Sequence, residues 1–186
     1  MQRCEWVGKD QIYLDYHDQE WGVPVYDSEL LFQHLLLDGA QAGLSWITIL
    51  KKRENYRQAF DHFDPSKMAA LSDRQLDQHL QNPGIVRNKL KVYGFRKNAQ
   101  AYLRLTQSQS FSNFLWNYVE GEPIINQWST LNKVPTSTAA SDAMSKDLKK
   151  VGFTFVGTTI CYAFMQAVGM VNDHTTDCFC HPKNRN

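Results

Sequence analysis

The chain has 186 residues, 42% of them hydrophobic and 12% aromatic, enough apolar material for one sizeable core. Its formal net charge of +1 excludes a protein that grips nucleic acid through overall positive charge, so any DNA or RNA contact must rest on a local patch. No run approaches 18 consecutive apolar residues and MQRCEWVGKD carries no apolar secretory segment, so a membrane span is excluded and a cytoplasmic location expected.

Aromatic residues crowd the first quarter of the chain: Trp6, Tyr13, Tyr16, Trp21 and Trp46. For any one of them burial in the core is the better reading. Asp27-Ser28 can cap a helix with apolar Leu31, Phe32, Leu35 and Leu36, ending near Gly39. Asp38 follows Leu31 and Leu35 at helical spacing, so it shares their inward face, at a helix end whose dipole disfavours an anion. Two readings stay open. Asp38 is a functional carboxylate, or it turns outward and caps the next helix with Gln41.

A second helix is predicted from about Leu44 to Phe60, with Trp46, Ile49, Tyr56 and Phe60 on one stripe and Lys51, Lys52, Arg53 and Arg57 toward solvent. Ser72-x-x-Gln75 has the form of a capping box and opens a short helix to about Gln81. Asn82-Pro83-Gly84 breaks it, and a longer helix follows from about Arg87 to Gln107. Residues 73–106 thus resemble a helix-hairpin-helix element. In that element the backbone amides around Gly84 and Val86 meet a phosphate and Arg87 and Lys89 add charge; the alternative is a plain Pro-Gly connection. The commonest form of the motif has a second glycine where Val86 stands. Further helices are predicted at 111–120, 138–150 and 157–169, the last two parted by Gly152. With little strand-like alternation, the predicted fold is all-α, one domain over 1–186.

Four cysteines suggest thiols or metal ligands before disulfides. Cys4 and His17 near the start, with His174 and Cys178 near the end, make a two-sulfur, two-imidazole set that suits closed tetrahedral zinc joining the N- and C-terminal segments. Ordinary buried thiols and surface histidines are the alternative, and Cys180 and His181 compete as ligands. Cys161, inside TTICYAFM, reads as core.

The blocks RCEWVGKDQIYLDYHDQEWGVP, QAGLSWITILKKRENYR, NPGIVRNKLK and VPTSTAASDAMSKDLKKVGFTFVGTTICYAFMQAVGMVNDH together resemble the DNA-3-methyladenine glycosylase I family over nearly the whole chain. The resemblance implies a helix-hairpin-helix glycosylase fold and a structural zinc on Cys4, His17, His174 and Cys178, disfavouring Cys180. It implies a monomeric, monofunctional enzyme that flips 3-methyladenine out of alkylated duplex DNA and hydrolyses its N-glycosidic bond, releasing the free base without strand cleavage. Tyr16 and Trp46 match stacking positions, and Trp6, Tyr13 and Trp21 would complete the wall. Gln41, Gly43 and Leu44 would enter the gap left by the base, and Asp38 would meet the base edge as the catalytic carboxylate. Here the chain departs from similar proteins, which carry glutamate; aspartate is one methylene shorter, roughly 1.5 Å. A weakened or inactive binder of alkylated DNA is the corresponding alternative.

Overall fold

The computed structural model describes residues 1–184. Among the described residues ten α-helices carry the fold: α1 (Gln11–Gln19), α2 (Ser28–Gln41), α3 (Trp46–Leu50), α4 (Arg53–Ala59), α5 (Pro65–Ala69), α6 (Asp73–His79), α7 (Lys89–Leu105), α8 (Phe111–Trp116), α9 (Ala139–Val151) and α10 (Thr158–Ala167). The predicted all-helical class holds, with one small addition. Strands β1 (Ile124–Ile125) and β2 (Val171–Asn172) pair in parallel, Ile124 opposite Val171. Among the described residues no helix is long and apolar enough to cross a membrane.

Local chemistry accounts for the main boundaries. Asp27 Oδ1 accepts from the amides of Glu29 and Leu30 and starts α2, whose apolar stripe Leu31, Phe32, Leu35 and Leu36 is buried. The capping box of α6 forms between Ser72 and Gln75, and Gly152, at φ +109°, ends α9. α10 lies against α9 and α2 at the centre of the core, with Cys161, Phe164 and Met165 fully buried, so Cys161 is a core residue as expected. A smaller buried cluster joins the two chain ends: Cys4, Val7, Tyr16 and Trp21 meet Ala167, Cys178 and Cys180.

Three predicted boundaries move, each for a visible reason. α2 continues past Gly39 to Gln41. Gly39 is needed for close packing rather than as a cap, since a Cβ there would lie 3.2 Å from the Cβ and carbonyl oxygen of Phe155. The single helix expected from Leu44 to Phe60 is two, α3 and α4, because the chain tightens through the i→i+3 bond from the Lys52 amide to the Ile49 carbonyl. Lys51 and Arg57 are exposed as predicted, Lys51 in a surface pair with Asp10, while half-buried Lys52 donates to the Pro83 carbonyl and half-buried Arg53 pairs with Glu20. α7 begins at Lys89 rather than Arg87 because the Asn88 side chain caps it, accepting from the Lys91 amide.

The N-terminal arm is tied to the end of α10 by the Gly22 amide donating to the Gln166 carbonyl and the Val25 amide to the Val168 carbonyl. Gly169 makes this crossing possible. Its φ is +68°, and a Cβ would lie 2.4 Å from both Pro24 N and Val23 C. Gly169→Ala is therefore expected to destabilise the protein by at least about 2 kcal/mol, measured by denaturant unfolding.

Candidate functional site

The aromatic residues scattered along the first 46 positions converge on one cavity. Trp6 comes from the short 3-10 turn Glu5–Val7, Tyr13 and Tyr16 from successive turns of α1, Trp21 from the segment after it, and Trp46 from the start of α3. The cavity, about 200 Å³, is also lined by Asp38 and Gln41 of α2 and, from the C-terminal half, by Leu131, Val134, Ala163, Gln166 and Asp173. The rings brace one another edge to face: Trp6 lies 5.1 Å from Tyr13 and 5.0 Å from Trp21 between centroids, and Tyr16 is tilted against Trp46 at 5.4 Å.

Asp38 resolves the two readings that its position left open. It is 3% exposed, faces inward with Leu31 and Leu35, and lines the cavity; it does not cap the next helix. Gln41 closes the turn instead, its side-chain amide donating to the Leu44 carbonyl at 3.2 Å. Asp38 Oδ2 is buried without a hydrogen-bond partner, and so is Trp46 Nε1. Burial pushes the Asp38 carboxyl well above the usual carboxylate range, and burial followed by the Asp38 charge pushes the Tyr16 hydroxyl up as well. The pocket thus holds one unpartnered acid and one unpartnered N–H among aromatic faces.

A second carboxylate lies across the cavity, and sequence reasoning missed it. Asp173 Oδ1 accepts from Asn126 Nδ2 and Trp128 Nε1, each at 2.7 Å; Oδ2 accepts from the Tyr162 hydroxyl at 2.7 Å and Gln166 Nε2 at 2.8 Å. With four donors Asp173 is framework, joining the segment after β1 to α10 and β2. The available signal was Tyr162 and Gln166, two polar groups one helical turn apart in an otherwise apolar run.

Beside the cavity mouth, the turn Gln41–Leu44 is thin and open. Gly43 takes φ +76° with nothing within 4 Å of a Cβ position, and Leu44 is 39% exposed. On its buried side Lys91 Nζ donates to the carbonyls of Ala40 at 2.8 Å and Ala42 at 2.6 Å. In the connection between α6 and α7 two amides are engaged by side chains of the protein. The Gly84 amide donates to Asn82 Oδ1 at 2.8 Å and the Val86 amide to the Tyr56 hydroxyl at 3.1 Å. Arg87 and Lys89 remain exposed, Lys89 with its ammonium over the Tyr93 ring.

Beneath the aromatic wall, Cys4, His17, His174 and Cys178 bring their ligand atoms within 4.8 Å of one another, all buried, and together can hold a metal ion. His174 Nδ1 is 3.6 Å from both sulfurs, and His17 Nε2 is 3.5 Å from Cys178 Sγ. The outward nitrogens are already engaged: His17 Nδ1 with Asp18 Oδ1 at 2.8 Å, His174 Nε2 with the Trp21 carbonyl at 3.1 Å. These contacts fix the tautomers that aim the other nitrogens at the cluster. His181 is occupied elsewhere, Nε2 on the Asn126 carbonyl and Nδ1 accepting from the Lys183 amide. Cys180 groups with His17 and Asp18 in a second set that shares His17.

An aromatic cavity with a buried carboxylate thus lies beside an exposed leucine turn in a helical shell, and the chain's relatives make it a glycosylase, a hydrolase. The chain belongs to the methyladenine glycosylase family, whose profile matches residues 6–181. It is 53% identical over 186 residues, covering the whole of both chains, to DNA-3-methyladenine glycosylase 1 of Escherichia coli K12. Among solved structures, a 3-methyladenine DNA glycosylase I superposes with a TM-score of 0.96 at 56% identity, over 97% of this chain and 100% of the other. The Staphylococcus aureus enzyme, described for its recognition of 3-methyladenine, superposes with a TM-score of 0.94 at 41% identity, over 98% and 97%.

The raised Asp38 value has a consequence for stability. A carboxyl that the fold holds protonated gives its full stabilisation below its ordinary value of 3.8, and that is lost as pH rises through the raised value. Asp38→Asn removes this penalty. Its thermal midpoint is expected to exceed the parent's by about 2–4 °C at pH 8, with the two converging toward pH 3 in scanning calorimetry.

Proposed function

We propose that the whole chain acts as one monomeric glycosylase domain that extrudes 3-methyladenine from alkylated duplex DNA and hydrolyses its N-glycosidic bond. The observation that carries this reading is the pair of unpartnered groups in the cavity, Asp38 Oδ2 and Trp46 Nε1–H, between stacking surfaces. An adenine edge offers both an amino donor and a ring-nitrogen acceptor, so it supplies what the two groups lack.

Methylation at N3 places positive charge on the purine, which favours electron-rich faces such as Tyr16 and Trp46. A cation about 4 Å from the Asp38 carboxyl gains about 4 kcal/mol at an effective dielectric of 20, which opposes the burial penalty and favours the ionised acid once the base is in place. Leaving the stack costs a few kcal/mol, less for a damaged base, and Gln41, Gly43 and Leu44 fill the gap it vacates. Arg87 and Lys89 meet the backbone, with Gly84 and Val86 shaping the turn between α6 and α7 as a helix-hairpin-helix element. As the C–N bond breaks, its electron pair neutralises the purine. Water adds its hydroxyl to C1′ and gives up its proton to solvent, and the base leaves neutral. No lysine nucleophile is required, so the strand stays intact. The reading places the enzyme in the cytoplasm.

The four-residue cluster fits zinc. Tetrahedral Zn²⁺ with sulfur near 2.3 Å and nitrogen near 2.05 Å sets sulfur–nitrogen edges of about 3.6 Å, which the 3.5–3.6 Å separations match. The ion would be structural, supplying a tie between distant segments and no step of the reaction. On chelation of the purified protein, one equivalent of zinc is expected to be released and the thermal midpoint to fall by more than about 10 °C. A midpoint indifferent to chelator would remove the metal from the account.

Incubation with N-methylated DNA is expected to release free 3-methyladenine and leave abasic, uncut strands; Leu44→Ala is expected to slow release from duplex at least about tenfold. If alkylated duplex is bound without release, and Asp38→Glu restores turnover, the chain is instead a lesion binder weakened by its shorter carboxylate.

A further inference from the structure

The turn that carries Leu44 is held from below by a buried cation. Lys91 is 7% exposed, the one buried lysine or arginine among the described residues. Desolvating an ammonium is unfavourable unless its donors are met, and here the partners are the carbonyls of Ala40 and Ala42. These lie at the C-terminal end of α2, where the negative end of the helix dipole is a favourable seat for a cation. Burial alone would lower the lysine's pKa, so the contact is kept against a desolvation penalty.

The connection joins two parts that act on DNA in the reading above. Lys91 stands in the first turn of α7, directly after exposed Arg87, Asn88, Lys89 and Leu90. The carbonyls it holds bracket Gln41, the first residue of the wedge turn and three residues beyond Asp38. A second contact steadies the same helix end. Phe155, at the left-handed φ of +57°, lies over Gly39, and Asn98 fixes its loop by accepting from the Thr154 amide at 2.7 Å and donating to the Thr154 carbonyl at 3.1 Å. A strained residue held by several contacts is a sign that its position is required.

We propose that Lys91 is a positioning residue for base extrusion. It clamps the wedge turn to α7, so that Leu44 stands at a fixed offset from the backbone-binding residues when the base leaves the stack. This rests on the glycosylase reading and extends it to a residue that does not line the cavity and whose ammonium is engaged by the carbonyls of Ala40 and Ala42.

Lys91→Met keeps length and removes the donors. With duplex carrying 3-methyladenine, kcat is expected to fall at least about tenfold while KM stays within about threefold. In a Leu44→Ala background the same substitution is expected to cost less than about threefold, because the turn no longer carries the group being positioned. Additive losses, or an unchanged kcat, overturn the proposal. Thermal melts verify folding; if Lys91→Met is insoluble, Lys91→Gln enters the same cycle with an expected fall of at least about threefold. Absence of base release by the parent protein sinks the glycosylase reading itself, whereas release with additive losses sinks only the role of Lys91.

Discussion

The aromatic pocket rests on the cluster of Cys4, His17, His174 and Cys178. Its imidazoles are part of the stack: the His17 ring lies 5.4 Å from Trp6 and 4.7 Å from His174, and His174 lies 4.6 Å from Trp21. Trp6 and Trp21 in turn line the cavity. A shift in the cluster would thus move the pocket wall directly, through ring contacts rather than through helices. The outward bonds to Asp18 and to the Trp21 carbonyl make the coupling tighter, since Trp21 is both backbone partner and wall.

Two carboxylates in one cavity take opposite conditions. Asp173 receives four hydrogen bonds from two other stretches of chain, which is how a buried carboxylate becomes a rigid joint. Asp38 lies on α2 with one oxygen unmet. The fold tolerates that omission because the apolar stripe Leu31, Phe32, Leu35 and Leu36 anchors the helix independently of its last turn. Stability is given up at one atom and secured elsewhere, the ordinary arrangement where a site must stay ready for a ligand.

Much of this was legible in the residues, and the exceptions share a cause. Caps at Asp27, Ser72 and Gly152 are local, and so were readable. The inward face of Asp38 followed from helical spacing alone. What escaped depended on distant partners. Gly39 reads as a helix stop until Phe155 is seen above it. Nothing local marks Lys91 as buried, because the carbonyls of Ala40 and Ala42 that receive it lie some fifty positions earlier. Lys51 is exposed as read, but the reading did not show that Pro83 and Glu20 receive Lys52 and half-buried Arg53. Asp173 is one aspartate among many until its four donors converge. The family resemblance, carried by long blocks of sequence, supplied the convergence of the aromatics that no local pattern states.

The cavity is assembled from residues 6 to 21, 38 to 46, 131 to 134 and 163 to 173, over a Cys/His cluster whose members lie up to 174 positions apart. The wall of the pocket is therefore built from contacts between segments far apart in sequence, whose joining carries a loop-closure cost that local helix contacts do not. The cavity is a property of the assembled chain: no single segment lines it, so a molecule in which either end has come loose keeps most of its helices and loses the cavity.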